Sequence, residues 1–382
     1  MNRFPQFLLV FWFVVAADWL SYAGSLDSWT SRVSGTTNDL NAIAYAAPRF
    51  AAVGNGGRVL TSTNATDWAI QNSGTTSNLN GVVCGNGLLV AVGQGPVLTS
   101  PDGVTWTGHA APGGIHFGAA YGNGLFVAVG EAGGIITSTN GTTWGAQTSG
   151  TTFSILGVVF ANGTFVAVGG PLERILTSTN GVNWTNRNPS PDVTLRGVTF
   201  GNGRFVGVGG DEPTGGGGGI KTSPDGVTWS HQTSGTVLNL YSVAWGNGFY
   251  VAVGARGDAI PNRIVLTSAD AFSWATRLLA STGPLKAVVY GNGSFVAVGS
   301  GGAILQSGPI FAFTGKNQFA NGGYELDLTG EIGRGYRIQA STNLTDTDWI
   351  DLVNFTNTSE TIQFLDVSAT NLSRRYYRAV SP

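Results

Sequence analysis

Apolar residues in this chain come in short bursts separated by turns rich in glycine and asparagine. The burst LFVAVG ends at Gly130, and variants of it end at Gly54, Gly93, Gly169, Gly209, Gly254 and Gly299, at intervals of 39, 37, 39, 40, 45 and 45 residues. Self-similarity of this kind signals a repeat architecture in which each unit buries its apolar face against its neighbours. In the third unit, alternation and turn chemistry predict four short strands. Strand A runs from Phe117 to Tyr121, strand B from Leu125 to Val129, strand C from Gly134 to Ser138, and strand D surrounds Trp144. Gly122-Asn123-Gly124 joins the first two, because Asn-Gly supplies the positive φ angles that a tight hairpin demands.

A second mark, Ser-x-Asp/Asn followed by Trp, places tryptophans at Trp68, Trp106, Trp144, Trp184, Trp229 and Trp274. Its acidic position holds Asp102, Asp225 and Asp270, but the other units carry Asn64, Asn140 and Asn180 there. An amide cannot serve as acid or base, so all six are expected to shape the turn between strands C and D. Six marks face seven bursts. The last unit stops at Leu305-Gln306-Ser307-Gly308 without its Trp strand, whereas Ser28-Trp29-Thr30 stands early, followed by the Ser34-Gly35-Thr36-Thr37 that recurs at Ser73 and Ser149. The early strand is expected to complete the last unit. The prediction is an all-β chain: a seven-bladed β-propeller over residues 25–308, closed by an N-terminal strand and so without open sheet edges.

Composition sharpens this picture. Glycine supplies 59 of 382 residues and charged residues only 10%, while a hydrophobic content of 42% excludes a disordered chain. A formal net charge of -2 gives no reason to expect nucleic acid as a partner. The single Cys84 rules out an internal disulfide and any cysteine-based zinc site, and it is read as a buried, inert thiol. His109, His116 and His231 lack the clustering of metal ligands, so no metal and no cofactor is expected. Arg3, the apolar run Phe4 to Ala17 and Ser21-Tyr22-Ala23 read as a signal peptide over residues 1–23. Cleavage near Ala23 would leave a secreted, cell-surface or periplasmic protein of bacterial type with no membrane insertion, expected to be a monomer. From Pro309 the repeat stops and charge rises, from 24 of 284 residues to 14 of 74. Alternating segments there predict a small β-sandwich over residues 309–382.

The mark Ser-Pro-Asp-Gly-Val-Thr-Trp at Ser100 and Ser223 resembles the Asp-box, or BNR, repeat, one residue shorter between Asp and Trp than usual. That resemblance implies a propeller within the broad WD40/YVTN-like and sialidase-like class. It does not imply one activity, since such propellers include sialidases, sortilin-type receptors and photosystem II assembly factors. The tail strings GYRIQASTNLTDTDW and RRYYRAV resemble a C-terminal module of secreted bacterial proteins.

In a propeller the A-B and C-D turns share one face, and the B-C and D-A connections share the other. Nine of the 24 propeller charges fall in the B-C connections: Arg58, Glu131, Glu173, Arg174, Asp211, Glu212, Arg256, Asp258 and Arg263. Loops on a rigid scaffold are where function is usually carried. These residues are therefore the expected ligand contacts of a non-catalytic binding or scaffolding module, with a protein or a polysaccharide as partner. The alternative is a glycan-directed hydrolase or lyase using Glu131, Glu173, Asp211, Glu212 or Asp258. The sialidase pattern itself is not met, because that family has six blades and an early Arg-Ile-Pro that this chain lacks.

Overall fold

The computed structural model describes Leu26, residues 28–170, 174–187, 193–210, 217–255, 263–279 and 283–308, and in the tail 312–320, 323–329, 335–342, 349–356, 358, 361–371 and 375–380. The expected export segment lies outside the described residues. Among those described, no helix is long and apolar enough to cross a membrane.

Seven four-stranded antiparallel sheets form the blades of a propeller. Their innermost strands, A, are Leu40–Ala46, Leu79–Gly85, His116–Gly122, Ile155–Ala161, Leu195–Gly201, Asn239–Gly246 and Leu285–Gly291, each packed on the next and the last on the first. Six of the seven A-B turns carry an asparagine with positive φ, between 43° at Asn202 and 51° at Asn123. Strands C and D of the third blade, Ile135–Ser138 and Gly145–Gln147, begin slightly later than the pattern predicts. Gly134 is held back because its N–H donates to Glu131 O at 2.8 Å, closing a short 3-10 turn. Trp144 is held back because its indole Nε1 donates to Gly141 O at 2.9 Å, which folds the ring under the turn.

The seventh blade is composite. Trp29–Arg32 runs antiparallel to Ile304–Ser307, from Trp29 opposite Ser307 to Arg32 opposite Ile304. Arg32 Nε donates to Gln306 Oε1 at 3.0 Å across that pair, and Gln306 Nε2 donates to Ser294 Oγ at 3.1 Å. The ring is thus fastened by side chains as well as by backbone.

Blade-to-blade packing follows a glycine-to-ring rule. A Cβ on Gly122 would lie 2.0 Å from the Phe160 ring of the next blade, and one on Gly291 would lie 2.4 Å from Tyr45, which joins blade seven to blade one. Inside five of the blades an aromatic strand-B residue sits between that ring and the box tryptophan. Phe126, for example, is 4.6 Å from Tyr121 and 6.5 Å from Trp144. Cys84 occupies the ring position of blade two and is half-buried, not fully buried as expected, because this whole register lies at the outer end of strand A. Burial still pushes its thiol pKa up.

The tail from Gly308 forms a separate unit. It holds two three-stranded antiparallel sheets: Ala312–Ala320, Gly323–Thr329 and Thr361–Asp366 in one, and Ile350–Thr356, Gly335–Ser341 and Tyr376–Val380 in the other. Leu326, Leu328, Ile338, Ala340 and Tyr377 share one core. Within it Arg375 Nε lies 2.8 Å from Asp366 Oδ2, a buried ion pair that also receives the Tyr377 hydroxyl at 3.0 Å.

Candidate functional site

The B-C and D-A connections lie side by side, because in five blades the B-C turn hydrogen-bonds to the residue that precedes strand A of its own blade. Asn55 N donates to Asp39 O at 2.9 Å, Glu131 N to Ile115 O at 2.9 Å and Ser300 N to Pro284 O at 2.9 Å. Of the nine charged residues expected there, Glu173, Asp211, Glu212, Arg256 and Asp258 lie outside the described residues. Glu131 opens the 3-10 turn Glu131–Gly133, and its Oε1 accepts Ile115 N–H at 3.0 Å, so its carboxylate locks the turn to the D-A connection. Arg58 follows the 3-10 turn Asn55–Gly57 and is half-buried.

Two expectations need correction. Arg174 and Arg263 are not loop residues, since each is the first residue of a strand C, Arg174–Ser178 and Arg263–Ser268. Arg263 is only 5% exposed, and its Nε donates to Gly283 O at 2.8 Å. Desolvation by that burial lowers its pKa. The loop is shorter than the sequence suggests because ladder pairing persists to the end of strand B, with Ala255 opposite Arg263 and Gly169 opposite Arg174.

A feature that charge counting missed sits at the centre of the same face. Every strand A carries a register shift after its first or second residue, between Leu40 and Ala42, Leu79 and Gly81, His116 and Gly118, Ile155 and Gly157, Leu195 and Gly197, Leu240 and Ser242, and Leu285 and Ala287. A bulge leaves one residue unpaired and re-aims its side chain. The seven residues are Asn41, Asn80, Phe117, Leu156, Arg196, Tyr241 and Lys286, all half-buried. Each belongs to an innermost strand next to the D-A connection, so together they ring the channel mouth. Neighbours touch. Asn41 Nδ2 donates to Leu79 O at 2.9 Å, Asn80 Nδ2 to His116 O at 3.0 Å, and the Arg196 guanidinium stands 5.4 Å from the centre of the Tyr241 ring. Lys286 Nζ donates to Asn41 Oδ1 and to Asp39 Oδ2, both at 2.9 Å. Partial burial works to raise the Asp39 carboxyl, but Lys286, the Gly301 N–H and Ser300 outweigh it and hold it below its ordinary value. The ring therefore offers an apolar arc at Phe117 and Leu156, and a cationic and amide arc from Arg196 round to Asn80.

The opposite face carries the turns. Asp102 Oδ1 accepts the N–H groups of Val104 and Thr105 at 2.8 Å, and Asn140 Oδ1 accepts those of Thr142 and Thr143 at 2.9 Å. Asn64, Asn180, Asp225 and Asp270 accept the same two N–H groups of their own turns. The Thr105 and Val104 bonds hold the Asp102 carboxyl at about 2. Among the described residues, no group of three His, Cys, Asp or Glu side chains could hold a metal ion.

No protein family and no curated protein matches the chain. Solved structures do. The propeller is similar to YCF48 from Cyanidioschyzon merolae, with a TM-score of 0.57 and 18% identity over 73% of this chain and 98% of that one. It is similar to YCF48 bound to D1 peptide, with a TM-score of 0.58 and 16% identity over 73% and 94%. It is also similar to a catalytically inactive virginiamycin B lyase from Staphylococcus aureus with quinupristin, with a TM-score of 0.63 and 10% identity over 74% and 99%. At these identities the likeness is one of fold: the chain carries a seven-bladed propeller.

Proposed function

We propose that this protein is an exported, non-catalytic binding module, of the kind its Asp-box-like turns resemble, whose propeller takes a polypeptide segment at the channel mouth on the B-C and D-A face. The observation that carries this reading is the bulge ring. One fixed backbone device presents side chains of six different types to a single opening, which is how a repeat scaffold encodes recognition without altering its core. Phe117 and Leu156 suit an apolar side chain, the second N–H of the Asn80 amide suits a backbone carbonyl, and Arg196 suits an acidic group. That mixture fits a peptide better than a uniformly polar glycan. A similar propeller, YCF48, has been solved with a peptide bound. In the described residues Glu131, one of the carboxylates a hydrolase would use, is committed to Ile115 N–H.

The test is selection of displayed peptides against the exported protein, followed by binding measurements with Phe117→Asn and Arg196→Met variants of unchanged melting temperature. Selected peptides should lose about tenfold or more in affinity when an anchor is removed, corresponding to about 1.4 kcal/mol. Peptides indifferent to both changes, or turnover of a glycan abolished by Glu131→Gln, would overturn the reading.

A further inference from the structure

Along the same face, at the seam between blades seven and one, lies a hollow of about 800 Å³. Arg32, Arg58 and Arg263 line it, together with Ser34, Thr36 and Asn38, and no carboxylate is among its described lining residues. Arg32 commits its Nε to Gln306, and Arg263 its Nε to Gly283 O. Arg58 Nε is buried with no hydrogen-bond partner among the described residues. The lining thus sets three guanidiniums and several hydroxyl and amide groups around one space, a combination complementary to an anion.

The repeat supplies an internal control. A related hollow of about 630 Å³ lies between blades three and four, built from the same Ser-Gly-Thr-Thr turn at Ser149 and the same kind of 3-10 turn. There Gln147 stands where Arg32 stands at the seam. The strand-C residue Arg174, equivalent to Arg58, is roofed by Phe153, whose ring centre is 4.7 Å from the guanidinium. At the seam the residue equivalent to Phe153 is Asn38, whose Nδ2 donates to Asn55 O at 3.1 Å and leaves Arg58 without a roof. The cationic lining and the missing roof thus occur together, where the ring is closed.

We propose that this seam hollow binds the carboxylates of an acidic peptide segment, with Arg32 and Arg58 as the charge-assisted donors and Arg263 as the fixed charge at its back wall. Guanidinium forks match carboxylate geometry in pairs of parallel N–H bonds. No aromatic ring lines the described part of the hollow to stack on a sugar, which favours an acidic peptide over a charged glycan. The inference rests on the reading of this face as the binding face, and it names the chemistry of the ligand.

The experiment is fluorescence anisotropy of labelled hexaglutamate and hexaglutamine on the whole exported protein. The acidic peptide should bind about tenfold or more tightly than the neutral one, and should weaken as salt is raised. A double variant with Arg32→Met and Arg58→Met should lose that preference, the Lys,Lys counterpart should keep most of it, and Arg174→Met should keep all of it. Equal binding of the two peptides, a preference untouched in the Met,Met variant, or binding of a sulfated oligosaccharide without hexaglutamate would overturn the proposal. Should the Met,Met variant fail to fold, loss of the preference in the folded Lys,Lys variant would also count against carboxylate binding by charge. The channel-mouth reading fails separately, through Phe117 and Arg196.

Discussion

The ring of Tyr290 fills the space that a Cβ on Gly246 would need, since such an atom would lie 2.0 Å from the ring's Cγ. Gly246→Ala should therefore destabilise the propeller by about 1–3 kcal/mol through overpacking at the interface of blades six and seven. Gly248→Ala, where φ is 83° and nothing lies within 4 Å of the added atom, should cost only about 1 kcal/mol of backbone strain. Chemical denaturation separates the two. In a double-mutant cycle, Tyr290→Ala should recover part of the loss at Gly246 and none at Gly248.

Removal of residues 25–37 deletes the strand that pairs with Ile304–Ser307 and exposes that edge. The shortened protein should melt at lower temperature and self-associate, as an unpaired edge strand recruits another chain. Calorimetry and size-exclusion chromatography report both effects, and a synthetic peptide covering the deleted strand should reverse them.

Acid should weaken the propeller through its turns. The Asp102 carboxyl is held at about 2 against an ordinary value of 3.8. On acidification the unfolded chain takes up that proton first, so the contribution is complete above the ordinary value and falls away as pH drops towards about 2. The Asp225 and Asp270 carboxyls are lowered too. Asp102→Asn, which copies the arrangement at Asn140, should leave stability at neutral pH nearly unchanged and flatten its fall below pH 4. Asp102→Ala should lose stability at every pH.

In the tail, the buried pair of Arg375 and Asp366 is expected to behave asymmetrically. Arg375→Met leaves a carboxylate only 3% exposed without its cation and should cost about 3–5 kcal/mol. Tyr377→Phe removes one donor to the same carboxylate and should cost about 1 kcal/mol. Near-ultraviolet circular dichroism follows both, because Tyr377 stacks on Tyr324 with ring centres 5.7 Å apart.

What the sequence discloses depends on whether a position repeats. The strand order, the composite seventh blade and the glycine-rich turns were legible because seven copies of one pattern reinforce each other. The bulge ring was not, because Asn41, Asn80, Phe117, Leu156, Arg196, Tyr241 and Lys286 share no chemistry. A signal was nonetheless present: each stands between a large, mostly aliphatic residue and a small one, as Leu195 and Gly197 flank Arg196, and a free position between two constrained ones marks a site exempt from packing. Arg174 and Arg263 were misread as loop residues because the prolines just before them, Pro171 and Pro261, suggest a turn, whereas backbone pairing extends the ladder regardless of composition.

The antiparallel clasp also fixes how the ring responds to tension. Trp29 lies opposite Ser307, and Ser28 O accepts Gly308 N–H at 3.1 Å, so the segments leading into and out of the propeller depart from the same end of the pair. A pull between them loads that end first and breaks the ladder one rung at a time, like a zipper, whereas shear would load all four rungs together. The closure that completes the ring is thus its mechanically softest point, and tethering the protein by both flanks would open blade seven before any other.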